Sequence, residues 1–231
     1  EMLVILPFEK DFYKKHQVNA HFVGHPLLDA ISDLAPIDAE NFKKEYGLND
    51  KEIIALLPGS REQEVEKMLS LMLSVRDYFK NYQFVIAGAP SLPKEFYQKF
   101  VDYDVHFVSN KTYDLLRCSK AALVTSGTAT LETALLNVPE IVCYRTSTIS
   151  YEIGKRVVKN IKFISLVNLI MDREIVKELI QKELNTENLV NELQKILEGQ
   201  KRDKMLKNYE LLREKLGGKG ASEHAAEIIV N

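Results

Sequence analysis

From residue 53 onward the chain alternates short, nearly continuous apolar runs with segments whose apolar residues recur every three or four positions. The runs IIALL (53–57), FVIAG (84–88), VHFV (105–108), AALVT (121–125) and EIVCY (140–144) are short and rich in β-branched residues. That is the pattern of parallel strands covered on both faces. Between them the spacing of Val65, Met68, Leu69, Met72 and Val75 predicts a helix over 62–80, with Ser60 and Gln63 placed as a capping box. Further helices are predicted over 93–101, 111–118 and 129–137. From about residue 149 the pattern is almost wholly helical, through EIVKELIQKE, TENLVNELQKILEG and RDKMLKNYELLREKL to a stop at Gly217–Gly218, then ASEHAAEIIV. The expected fold class is α/β: a doubly wound, Rossmann-like parallel sheet with a helical C-terminus.

The first residues fit this scheme less simply. MLVILPFEKDFYKKH reads as a strand and then a helix, and nothing precedes the strand to pair with it. A lone βα unit cannot bury its own apolar face. Residues 1–34 are therefore expected to be the tail of a preceding N-terminal domain, with 35–50 a linker and 51–231 the main domain. Composition narrows the partners. Of 231 residues 45% are hydrophobic and 28% charged, and the net charge of −2 gives no basic excess for nucleic acid. Cys118 and Cys143 form no CxxC, so two reduced thiols are expected. No run approaches the ~18 apolar residues of a membrane span.

Two stretches carry most of the chemistry: LLPGSREQE (56–64) and TSGTATLE (125–132). Each is a strand, a glycine turn and a helix start, which aims backbone N–H groups and the positive end of a helix dipole beyond the strand, at an anion such as a phosphate. Gly59, Ser60 and Arg61 open the first. Arg61 stands where the dipole disfavours a cation, which makes sense beside a phosphate; the alternative is a plain helix start with a solvated arginine. Ser126, Gly127 and Thr128 form the second, where the alternative is a turn capped by Thr128. Glu132, one helical turn on, has two oxygens for the adjacent hydroxyls of a ribose, or merely complements the dipole. Both turns follow strands at their carboxyl ends, where doubly wound sheets bind ligands, so both can reach one sugar nucleotide.

Tyr144 and Arg145 end another strand on that side. Asn168 is a polar residue in an apolar run, either a turn residue or part of the pocket. His25, in VGHP, is read as a structural or exposed loop residue more readily than as a ligand. Lys155, Arg156, Lys159 and Lys162 are interleaved with apolar residues over 151–162, giving a solvated face or a basic face for anionic lipid. No P-loop, no G-x-G-x-x-G and no metal-ligand cluster is present in the sequence.

The order and context of LVILPFEKDFY, FVGHPLLDAI, LLPGSREQEV, VTSGTATLETALLNVPEIVCYR and FISLVNLIMDREIVKELIQ resemble the lipid-A-disaccharide synthase family, and the resemblance covers essentially the whole chain. It implies the C-terminal, donor-binding half of a GT-B glycosyltransferase. The implied reaction condenses UDP-2,3-diacylglucosamine with 2,3-diacylglucosamine 1-phosphate, with inversion and release of UDP, and without metal or other cofactor. It further implies phosphate contacts from Arg61, pyrophosphate contacts from Ser126, Gly127 and Thr128, ribose contacts from Glu132, and uracil at the end of VHFVSN. Tyr144, Arg145 and Asn168 would complete the donor pocket, with Arg61 and Asn168 the two expected to affect turnover. Location at the cytoplasmic face of the inner membrane, contact with that membrane through the N-terminal domain, and a homodimer are implied too. The acceptor site and the catalytic base would belong to the N-terminal domain, so the isolated polypeptide is expected to bind UDP without turning over. Similar glycine turns occur in UDP-sugar 2-epimerases and peptidoglycan-type N-acetylglucosaminyltransferases. Those remain alternative readings, as does a non-catalytic nucleotide-sugar binding module.

Overall fold

A computed structural model describes residues 1–102, 104–146 and 162–230. Six strands form one parallel sheet: β3 (Glu52–Leu57), β4 (Tyr82–Gly88), β5 (Val105–Ser109), β6 (Ser119–Thr125), β7 (Glu140–Tyr144) and β8 (Lys177–Ile180). Their spatial order is β5-β4-β3-β6-β7-β8. The chain therefore builds outward from β3 to one side through β4 and β5, then returns to add β6, β7 and β8 on the other. The β3/β6 boundary is the point where strand order reverses, and a crevice opens there at the strands' carboxyl ends.

The period-two rule explains why the strand runs are apolar throughout. On β3, Ile54 and Leu56 face a core shared with α4 (Glu62–Leu73), α9 (Thr186–Leu197) and α10 (Gln200–Lys215). Ile53, Ala55 and Leu57 face a smaller core with Phe42 of α3 (Ala39–Glu45) and Leu115 and Leu116 of α6 (Thr112–Arg117). With both sheet faces covered, no position on β3 after Glu52 is left for a polar side chain. The stretch 35–50 thus includes a helix packed against the sheet through Phe42.

Several sequence expectations shift. The predicted 62–80 helix stops at Leu73: the Ser74 hydroxyl donates to the Leu71 carbonyl at 2.7 Å, and a 3₁₀ turn over Arg76–Tyr78 follows. The capping box is absent too. Arg61, not Ser60, holds the N-cap position and no side chain caps α4. The 93–101 helix is reduced to α5 (Lys94–Tyr97) and a 3₁₀ turn.

The largest change concerns EIVKELIQKE, expected to be helical. It contains β8, paired in parallel with β7 in the register Ile141↔Lys177 to Tyr144↔Ile180. Glu, Lys and Leu favour helix intrinsically, but an open edge beside β7 offers a full ladder of backbone bonds, and tertiary context overrides propensity. Lys177 on an edge strand is also a usual defence against further pairing.

At the N-terminus, β1 (Met2–Val4) does have a partner. After α1 (Pro7–Lys15) the chain forms β2 (Ala20–Phe22), parallel to β1. His25 caps α2 (Pro26–Ser32), its Nδ1 accepting from the Leu27 N–H at 3.2 Å. The C-terminal helix α11 (Ala221–Val230) returns to this unit. The Gly220 N–H donates to Asp29 at 2.6 Å, and the His25 N–H to the Leu216 carbonyl at 3.2 Å.

Glu140 begins β7 fully buried, and neither carboxylate oxygen has a hydrogen-bond partner among the described residues. Burial, and then the neighbouring Glu178, push its carboxyl well above the usual range. The unfolded chain then ionises Glu140 at lower pH than the folded chain, so stability falls as pH rises above the ordinary carboxylate value. A single such group gives at most about 1.4 kcal/mol per pH unit. Glu140→Gln removes this titration. Its unfolding free energy relative to the unsubstituted chain is expected to grow between pH 5 and pH 8 in urea titrations; parallel curves would show that Glu140 ionises normally.

Candidate functional site

A cavity of about 360 Å³ lies at the β3/β6 boundary on the carboxyl side of the sheet. Gly59 and Ser60 line it after β3, Gly88, Ala89 and Pro90 at the end of β4, and Ser126, Gly127 and Thr128 after β6. Glu132 and Thr112 close it from α7 (Thr128–Leu135) and the start of α6. α2, α3, α9 and α8 (Leu166–Met171) are capped by His25, Asp38, Asn185 and Ser165; α4 and α7, like α5, α6 and α10, have no side-chain cap, and α4 and α7 both start at this cavity. The first N–H groups of two helices are thus left toward one space, an arrangement that binds an anion.

The turn after β3 requires glycine. Gly59 has φ +107°, and a Cβ there would overlap the Glu64 carboxylate. That carboxylate folds back over the turn and accepts the Ser60 N–H at 3.4 Å, a long bond that an incoming anion can replace. After β6, Ser126 donates its hydroxyl proton to the Ile164 carbonyl at 3.1 Å. Thr130 donates to the Gly127 carbonyl at 2.9 Å and ties down the turn.

Glu132 is half-buried, and burial raises its carboxyl pKa, against which a hydrogen bond from Tyr113 acts. The phenol is in turn pushed up to about 12, by burial first and the nearby carboxylate second, and stays a donor at neutral pH. A carboxylate held from behind by a phenol keeps lone pairs for hydroxyl donors in the cavity.

The structure gathers six sequence-predicted residues on this wall: Gly59, Ser60, Ser126, Gly127, Thr128 and Glu132. Thr128 opens α7 and does not cap it. Arg61 is exposed at the N-cap of α4, beside the Ser60 turn but off the cavity wall. Tyr144 and Arg145 are also off the wall, and Arg145 Nη2 instead donates to the Gln181 and Leu184 carbonyls at 2.9 and 2.6 Å.

Asn168 is the clearest departure. It is 0% exposed. Its amide donates to the Val176 carbonyl and Glu178, both at 2.9 Å, and accepts the Ile175 and Val176 N–H groups at 2.8 and 3.1 Å. No hydrogen-bonding position is left for a ligand. The strand end Ser109–Asn110 is off the wall as well, and Thr112 takes that side. Residues 151–161 of the basic segment lie outside the described residues; Lys162, within them, sits 3.8 Å from the exposed Asp172.

The sequence reading missed Glu64, the Gly88–Pro90 turn, Thr112 and Tyr113. GAP (88–90), which begins on the last residue of FVIAG, is a third glycine turn at a strand's carboxyl end, and the strand-end rule that singled out the other two applies to it equally. The Tyr113–Glu132 contact had no signal in the sequence.

The family model for lipid-A-disaccharide synthetase (LpxB) matches residues 1–230. The chain is 35% identical to the lipid-A-disaccharide synthase of Myxococcus xanthus over 99% of its own length, and 39% identical to that of Syntrophus aciditrophicus over 97%. It spans 61% of the length of each of these relatives. Among solved structures it resembles the UDP-GlcNAc 2-epimerase of Neisseria meningitidis bound to UDP-GlcNAc, with TM-score 0.67 and 17% identity over 99% of this chain and 60% of that one. The Methanocaldococcus jannaschii UDP-GlcNAc 2-epimerase in complex with UDP-GlcNAc and UDP follows at TM-score 0.57 and 11% identity, over 92% of this chain and 60% of that one. Those two likenesses establish the GT-B-type fold. The sequence match, running nearly end to end, goes further: the chain belongs to the lipid-A-disaccharide synthase family.

Proposed function

We propose that this chain is the donor-binding part of an inverting glycosyltransferase that joins UDP-2,3-diacylglucosamine to 2,3-diacylglucosamine 1-phosphate, releasing UDP. The observation that carries this reading is the convergence of two uncapped helix starts and a half-buried carboxylate on one cavity where the strand order reverses. The pyrophosphate lies against the Ser60 and Gly127–Thr128 turns, the ribose diol on Glu132, and the base toward Thr112 and the Gly88–Pro90 turn. Negative charge builds on the departing UDP as the glycosidic bond breaks. The two helix starts, and Arg61 swinging in from the rim of α4, stabilise that charge electrostatically.

In this reading residues 1–34 end an acceptor-binding N-terminal domain, which supplies the base for the attacking hydroxyl and meets the inner membrane from the cytoplasmic side. Met2, Ile5, Phe8, Phe12 and Val18 are exposed on this unit, an apolar surface suited to such a domain. No helix of the described residues is long and apolar enough to cross a membrane. A homodimer belongs to the same proposal.

Two measurements test it. Calorimetric titration of this chain with UDP is expected to show one-to-one saturable binding, and no disaccharide should form from the two lipid substrates. In the intact enzyme Arg61→Ala should lower kcat by about tenfold or more, the scale of losing one preorganised donor. Unchanged turnover would remove Arg61 from the mechanism. Conversion of UDP-GlcNAc to its manno epimer by the intact enzyme would instead establish a 2-epimerase.

A further inference from the structure

Glu178, on the strand β8, is 5% exposed and four donors converge on its carboxylate. Oε2 accepts the Ile164 N–H at 2.9 Å. Oε1 accepts the Ser165 N–H at 3.0 Å, the Ser165 hydroxyl at 2.7 Å and the Asn168 amide at 2.9 Å. Both backbone polar groups of Ile164 are therefore held, the N–H by Glu178 and the carbonyl by Ser126 at 3.1 Å. Ser126 belongs to the cavity wall and Glu178 does not.

A serine has one proton to donate. With that proton spent on Ile164, the Ser126 hydroxyl anchors the Ser126–Thr128 turn, whose three residues line the cavity, to the segment that Glu178 holds. We propose that Glu178 is a positioning residue of the nucleotide site: by clamping Ile164 it fixes the rotamer of Ser126 and the second anion-binding turn. This inference rests on the nucleotide reading above. It also gives the buried carboxylate of an edge strand a role beyond closing its own network.

Glu178→Gln isolates the link. The amide oxygen can keep the three donors at the Oε1 position, but its NH₂ then faces the Ile164 N–H, donor against donor. A double-mutant cycle separates action through Ser126 from general destabilisation. UDP affinity would be measured by calorimetry for the unsubstituted chain, E178Q, S126A and the double variant, with far-UV circular dichroism to verify folding. E178Q is expected to weaken UDP binding about fivefold to tenfold alone and less than about twofold in the S126A background. Equal losses in both backgrounds would overturn the proposal while leaving the nucleotide reading intact. No UDP binding by the unsubstituted chain would overturn both. If E178Q does not fold, E178D goes through the same cycle with the same two outcomes, since it keeps the charge but is one methylene too short to reach both Ile164 and the Ser165–Asn168 side.

Discussion

Asn168→Ala is expected to destabilise the protein by about 3–5 kcal/mol, among the largest effects of any single substitution in this chain. The side chain satisfies the Ile175 and Val176 N–H groups and the Val176 carbonyl, and it contributes one of the four donors to Glu178. Truncation leaves three buried backbone groups without their partner, each costing about 1–3 kcal/mol before any water enters. For a domain of this size the loss corresponds to a fall in Tm of roughly 10 °C or more. Asn168→Asp should do no better, because it sets a second carboxylate against Glu178 and removes both amide donors. Urea and thermal unfolding of the two variants check this. A variant with unchanged Tm that nevertheless loses UDP binding would return Asn168 to the donor pocket and sink the structural assignment.

The same residue shows what could and could not be read from the chain. From ISLVNLIM alone, Asn168 reads as either a turn residue or part of the pocket; in the fold it meets a buried polar demand. Which demand it meets depends on β8, ten residues on, and there the charged residues of EIVKELIQKE pointed to a helix. Once β8 is a strand, Glu178 lies beside Ser165 and Asn168, and the amide is consumed locally. The central strands were legible because burial on both faces leaves mostly apolar residues, a pattern that propensity does not oppose. The edge strand was not, because its ladder on β7 is a tertiary contact with no local signature. Likewise the glycine turns of the site were visible as strand–Gly–helix strings. The aromatic partner of Glu132 comes from another helix, nineteen positions earlier in the chain, and no spacing rule links Tyr113 to it.

That partner sharpens the second large effect, Glu132→Ala, which is expected to weaken UDP binding about tenfold to a hundredfold. A carboxylate accepting from a ribose diol makes charged hydrogen bonds of about 1.5–3 kcal/mol, and truncation removes them. The test that places the acid on the sugar uses 2′-deoxy-UDP. The unsubstituted chain should bind it more weakly than UDP, and Glu132→Ala should bind the two alike. The pH dependence follows from the same contact. Burial raises the Glu132 carboxyl, so protonation on the acid side should begin to cost affinity at higher pH than for an exposed glutamate. Tyr113→Phe removes the bond that opposes this rise. The fall in UDP affinity on acidification should then start at higher pH still, while affinity on the alkaline side stays near that of the unsubstituted chain. A Tyr113→Phe profile that overlays the unsubstituted one would mean the phenol does not set the acid, and equal discrimination against the deoxy nucleotide in Glu132→Ala would move the ribose elsewhere in the cavity.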